Sequence, residues 1–174
     1  MSGHNKWSKV KNKKAVTDAR KGKIYTKMAK LISVELKKAN GDAKATNVLA
    51  IVKKARENNV PNENIERALK KNDNAVQMES IVYEAYGPGG VALIIEALTD
   101  NRNKAAGEIK HILVENGSAL AAPGSASWAF NKTIEGYLPN TMVEISEEDG
   151  LKLDKLIEEL EDNDEVQEIY TNAE

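Results

Sequence analysis

The spacing of apolar residues changes once along this chain, at Asn72-Asp73-Asn74, and the change sets two separate folding problems. Before it the apolar positions recur at helical spacing. From about Asp18, residues Ile24, Met28, Leu31, Ile32 and Leu36 share one face, with Glu35 the misfit among them. Gly41 is placed to end that helix in a left-handed conformation. A second helix is predicted from Lys44 to Asn58, burying Val48, Ile51, Val52 and Ala55, and Val60-Pro61 breaks it. Asn62 can cap a third helix that turns Ile65, Ala68 and Leu69 inward. Residues 1–16 show no sustained apolar period, and a mobile arm is expected there.

Beyond the change, strands are expected. Glu79–Tyr86 and Val91–Thr99 flank Gly87-Pro88-Gly89-Gly90, which reads as a hairpin turn. The second run is apolar on both faces and should be a central strand. A helix capped near Asp100 or Asn101 then buries Ala105, Ala106, Ile109, Ile112 and Leu113, and Gly107 inside it hints at close packing. Ser125–Phe130 alternates, with Ala126, Trp128 and Phe130 on one face; Thr141–Ile145 and Val166–Tyr170 are further strands. Asn131–Asn140 reads as a loop. Ser146 with Asp149 resembles a capping box opening an acidic helix that buries Leu153, Leu156, Ile157 and Leu160. The expected fold is α+β: a basic three-helix bundle in residues 1–78, then a split-βαβ, ferredoxin-like α+β domain in residues 79–174.

Charge follows the same division. Residues 1–78 carry 19 Lys and Arg against 7 Asp and Glu, a net of +12; residues 79–174 carry 6 against 20, a net of −14. Such segregation points to nucleic acid as the partner of the first part, with the acidic part repelled by phosphate and so orienting it. The densest run is at the start, where Lys6, Lys9, Lys11, Lys13, Lys14, Arg20, Lys21, Lys23, Lys27 and Lys30 face a single acid, Asp18. Trp7 lies inside the run and offers a ring to stack on a base. Lys53 and Lys54 extend the basic surface onto the second helix.

Other chemistries find little footing. Cysteine is absent, which removes disulfides and thiolate metal sites. His4 and His111 are the two imidazoles, and neither has an obvious catalytic partner. Gly87-Pro88-Gly89-Gly90 lacks the Lys-Ser/Thr ending of a phosphate loop. Asn101, Arg102 and Asn103 form a polar cluster at a helix start that suits either an anion or partner contact or plain capping. No apolar run approaches a membrane span. The expectation is a cytoplasmic, monomeric, non-catalytic protein without cofactor, whose partner is DNA or ribosomal RNA. The alternative is a protein-interaction adaptor that uses the acidic part on a basic partner.

Several stretches resemble one family. They are Gly3-His-Asn-Lys-Trp, Lys13-Lys14-Ala15, Gly22-Lys-Ile-Tyr-Thr-Lys, Asn64-Ile-Glu-Arg-Ala, Tyr86-Gly-Pro-Gly-Gly-Val, Glu96-Ala-Leu-Thr-Asp-Asn-Arg-Asn and Val166-Gln-Glu-Ile-Tyr-Thr-Asn. Together they are similar to the YebC/PmpR family of probable transcriptional regulatory proteins, whose mitochondrial relatives are translational activators of cytochrome c oxidase. The resemblance implies a basic helical domain joined to α+β domains, and a role in gene expression through promoter DNA or through a ribosome eased out of stalling. Carried over residue by residue, it implicates His4, Lys6, Trp7, Lys13, Lys14, Lys23 and Lys27 in contact. It also implies an additional domain between Phe130 and Thr141, where this chain has ten residues, 131–140.

Overall fold

The computed structural model describes residues 18–70, 77–134 and 136–174. The expected arm therefore lies outside the described residues. The described residues separate into two compact units, divided between Met78 and Glu79.

The first unit is built from α1 (Asp18–Lys38), α2 (Thr46–Glu57) and α3 (Asn62–Lys70). Met28, Ile32 and Leu36 of α1 meet Val48, Val52 and Ala55 of α2 and Ile65 and Ala68 of α3, and Val60 closes the core from the second turn. Beyond the end of α1, Asn40 and Gly41 take left-handed φ values of 52° and 85°, and the Gly41 N–H reaches back to the Leu36 carbonyl at 2.9 Å. Helix α3 begins at Asn62 itself, with the Asn64 N–H bonded to the Pro61 carbonyl at 2.9 Å, so Asn62 belongs to the first turn and does not precede it. The Glu35 misfit is resolved by its partners. One carboxylate oxygen takes the Lys38 ammonium at 2.7 Å, and the other takes the Asn47 amide of α2 at 2.9 Å. Burial would raise the Glu35 carboxyl, and these partners hold it below the usual carboxylate range. A charged side chain thereby joins the end of α1 to the start of α2.

The second unit is organised by β2. Strands β1 (Glu79–Tyr86) and β2 (Ala92–Thr99) form an antiparallel hairpin through a single 3₁₀ turn, Pro88–Gly90. Helix α4 (Arg102–Glu115) leads to β3 (Ala119–Ala121) on the far side of β1. After α5 (Glu147–Asp162), β6 (Val166–Thr171) pairs with β2. The sheet order is β3-β1-β2-β6, antiparallel throughout, so β2, α4 and β3 make a split βαβ with β1 between its strands. Alternate β2 residues face opposite ways. Leu93, Ile95 and Ala97 pack on Ile109 and Leu113 of α4 and on Leu153, Leu156 and Leu160 of α5. Ala92 and Ile94 pack on Ala126, Ala129 and Phe130. The fold is α+β, with Asn101 capping α4 and Ser146 capping α5 through N–H bonds of 3.1 Å each.

Three sequence expectations fail between Ala121 and Ser146. Ser125–Phe130 is a turn followed by a 3₁₀ segment, Ser127–Ala129, and Trp128 is 58% exposed while Ala126 and Phe130, expected on the same face, are buried. The expected loop 131–140 is a two-stranded hairpin, β4 (Phe130–Thr133) with β5 (Gly136–Pro139). Thr141–Ile145 forms no ladder beyond one bridge, Val143 to Ala173, because its backbone is taken up by the chain end: the Val143 N–H bonds the Asn172 carbonyl, and the Val143 carbonyl takes the Glu174 N–H.

Gly107 also behaves differently from expectation. A Cβ built there would meet nothing within 4 Å, so close packing does not explain it. At Gly89, by contrast, φ is +72° and a Cβ would lie 2.6 Å from the Ile145 side chain. The two glycines give opposite expectations on thermal melts. Gly107→Ala should stabilise the chain by up to about 1 kcal/mol, since alanine is the better helix former. Gly89→Ala should cost roughly 1–3 kcal/mol through overpacking, in addition to the strain of its left-handed backbone. A Gly89→Ala protein melting at the parent temperature would contradict this packing.

Candidate nucleic-acid interface

Helix α1 brings four of the predicted basic residues together. At about 100° per residue, Arg20, Lys23, Lys27 and Lys30 fall within an arc of roughly 80°, on the side away from the core-facing Met28, Ile32 and Leu36. Lys37 continues the same stripe one turn past Val34. The four are half-buried, so their methylene stems lie along the protein surface, and each already has an electrostatic or hydrogen-bonding interaction within the chain. Lys21 does not join them. It points to the apolar side of α1 ahead of Met28 and pairs with Asp18 at 3.9 Å. On α2, Lys53 is exposed and approaches Glu57 at 3.9 Å, while Lys54 is half-buried on the opposite flank. His4, Lys6, Trp7, Lys9, Lys11, Lys13 and Lys14 lie outside the described residues.

The second predicted cluster is occupied by the chain's own contacts. Asn101 uses its side-chain oxygen on the Lys104 N–H, and its own N–H is held by the Thr99 hydroxyl at 2.9 Å. Arg102 forks onto the Glu79 carboxylate, with Nε at 3.3 Å from one oxygen and Nη2 on the other. Its guanidinium holds the Glu79 carboxyl below the usual range. Asn103 is exposed. His111 is exposed on α4, and among the described residues no group of His, Asp and Glu is disposed to hold a metal.

A further feature was not foreseen from the sequence. Glu84, 9% exposed on β1, accepts the backbone N–H groups of Gly124, Ala126 and Ser127 at 2.7, 2.8 and 2.8 Å. Those N–H groups are thereby withdrawn from any strand ladder, which is why the alternating pattern at Ser125–Phe130 does not become a strand. The loop so held presents Trp128 outward. The indole Nε1–H is shared between the Tyr86 hydroxyl at 3.0 Å and the Ser125 carbonyl at 2.9 Å, and the Tyr86 hydroxyl itself donates to Ser125 O. Asn140 adds a bond from its amide to the Trp128 carbonyl at 3.2 Å. The signal available in the sequence was Pro123-Gly124, a turn pair directly before the apparent strand.

With the fold and these sites in place, known proteins can be set beside the chain. The sequence model of the TACO1/YebC N-terminal domain matches residues 5–75, and that of the TACO1/YebC second and third domain matches residues 78–135 and 133–173. The chain belongs to the TACO1/YebC family. Among its relatives is a probable transcriptional regulatory protein of Thermoanaerobacter pseudethanolicus, 36% identical over 239 positions that cover 100% of this chain and 97% of the relative. Another, from Frankia casuarinae and named in the same way, is 43% identical over 180 positions covering 99% of this chain and 71% of the relative. In structure the chain is similar to the conserved hypothetical protein Aq1575 of Aquifex aeolicus, with a TM-score of 0.78, 26% identity and coverage of 90% and 91% of the two chains. This chain is a shortened form: the first alignment spans 239 positions against its 174 residues, and the two pieces of the second match meet at residues 133–135, where the sequence passes from β4 to β5.

Glu84 gives the second unit a titration signature. Burial would raise its carboxyl, but the three backbone donors outweigh burial and hold it below the usual carboxylate range. Its contribution to stability is thus complete above the ordinary glutamate value of about 4.3 and is lost as pH falls through the lower folded value, because the unfolded chain binds the proton first. Glu84→Gln should lower stability at neutral pH by roughly 1–3 kcal/mol and flatten the acid limb of melting temperature against pH. An unchanged acid limb would show that Glu84 is not bound in this way.

Proposed function

We propose that this chain is a nucleic-acid-binding regulator of gene expression, that its basic helical unit makes the contact, and that it acts as a monomer without catalysis or cofactor. The observation that carries this reading is the stripe Arg20, Lys23, Lys27 and Lys30 on the side of α1 opposite Met28, Ile32 and Leu36, in the part of the chain with a net charge of +12. A row of cations at helical spacing neutralises phosphates without reading bases, so affinity comes from counterion release. Lys6, Lys9, Lys11, Lys13, Lys14, Lys53 and Lys54 would add further phosphate contacts, and Trp7 a stacking partner. The names of the relatives support regulation as the role. Among the described residues no helix is long and apolar enough to cross a membrane.

Two nucleic-acid targets fit, and stacking separates them. If the basic residues neutralise about 5–7 phosphates, log K should fall with log salt at a slope near −5 to −6 on duplex DNA. Removing two contacts with Lys23→Ala and Lys27→Ala should make that slope shallower by about 1.8. Trp7→Ala should cost roughly 1–3 kcal/mol on structured RNA with unpaired bases and little on duplex DNA. Discrimination among duplex sequences together with a silent Trp7→Ala would place the target at promoters. A salt slope unmoved by the lysine changes would overturn the interface itself.

A further inference from the structure

Trp128 is a large apolar side chain placed in solvent at some expense. Its loop is pinned by a buried carboxylate that satisfies three backbone N–H groups, and its orientation is fixed through Tyr86, Ser125 and Asn140. Tryptophan has one donor and no acceptor, and that donor is already used within the chain. What remains for a partner is the ring of Trp128, a residue 58% exposed, beside the 37% exposed Tyr86. A fixed ring with no hydrogen-bonding capacity left selects ligands that bind a π face: another apolar surface, a nucleobase or a cation.

Charge decides among these. Residues 79–174 carry a net of −14, and between Asn116 and Val143 the charged residues are Lys132 and Glu135 alone. A nucleic acid approaching Trp128 would meet one lysine near its sequence position and the repulsion of the whole unit. A cationic peptide would instead be drawn in by the same field and find the exposed indole beside Tyr86 as a π face for a guanidinium. We infer that Trp128, backed by Tyr86, is the seat for an arginine side chain of a basic polypeptide partner, held by a cation–π contact and steered by the negative field of the second unit. Arginine fits better than lysine because a planar guanidinium stacks on an indole with its five N–H donors still directed to the rim, whereas a hydrated ammonium ion is a point charge. The site does not depend on the phosphate-binding stripe of α1.

The test uses the full chain and a peptide of alternating arginine and glycine, with a lysine–glycine peptide of equal charge and an oligouridine as comparisons. The chain has two tryptophans, so in a Trp7→Phe background the single remaining indole N–H resonance reports on Trp128 directly. The arginine peptide should shift that resonance and bind more tightly than the lysine peptide. Trp128→Ala should weaken its binding about 2- to 30-fold, with Trp128→Phe between the two. Lys23→Ala and Lys27→Ala should leave peptide binding unchanged, which keeps this result separate from the nucleic-acid experiment. If Trp128→Ala disturbs folding, the resonance shift and the Phe variant still decide. The proposal is overturned if the arginine peptide fails to bind, if it binds equally well without the indole, or if oligouridine moves the resonance and the peptide does not.

Discussion

One strand with no polar face dictates the second unit. Ala92–Thr99 is buried along nearly its whole length, and an isolated hairpin would leave both of its apolar surfaces in water. Burial of such side chains is favourable by about 25 cal/mol per Å², so both faces must be covered. Helices α4 and α5 cover one. The other is covered by the 3₁₀ segment and the β4–β5 hairpin, through Ala126, Ala129, Phe130 and Tyr137. The position of the hairpin, the outward turn of Trp128 and the anchoring of the last residues are consequences of closing that second face.

The first unit solves a different problem, in which Lys and Arg outnumber Asp and Glu by 13 to 6 among its described residues 18–70. Its core is small, and the basic side chains lie along its flanks with their stems against the protein. Where an acid enters the apolar side, at Glu35, it is matched at once by Lys38 and Asn47. Net repulsion among the remaining cations is tolerated in a fold of three short helices because water and salt screen it. The same repulsion would be relieved by a polyanion, and this links the electrostatics of the unit to its proposed role.

How much of this was legible in the sequence depended on the range of the interaction concerned. Local signals were sufficient where they were complete: the spacing of Val48, Val52 and Ala55, the caps at Asn101 and Ser146, and the two-sided apolar run of β2 all led to the observed elements. Periodicity failed where a distant side chain outbid it. Glu84 lies about forty residues from the N–H groups it accepts, so nothing near Ser125–Phe130 announced that a strand pattern would become a turn. Asn172 does the same for Thr141–Ile145. Its buried amide accepts the Ala92 N–H at 2.7 Å and donates to the Thr141 carbonyl at 2.9 Å, fixing a segment that alternation alone would have made a strand. For the candidate interface, composition located the basic unit, while the helical stripe that sets Lys21 apart from its neighbours needed the register of α1.

The β4–β5 hairpin also explains how a family can vary in length without losing its sheet. Thr133 and Gly136 face each other across the ladder, and the chain between them is as short as a hairpin allows. Opening the chain at that tip displaces no core residue and breaks no pairing below it, so the strand ends are already as near as the two ends of an inserted module would need to be. Loop-closure entropy rises only with the logarithm of the added length, about 0.6 kcal/mol per doubling, so a long insertion costs the sheet beneath far less than in proportion to its length. The hairpin is thus a place where the chain can be lengthened while the core residues on either side of β2 keep their neighbours.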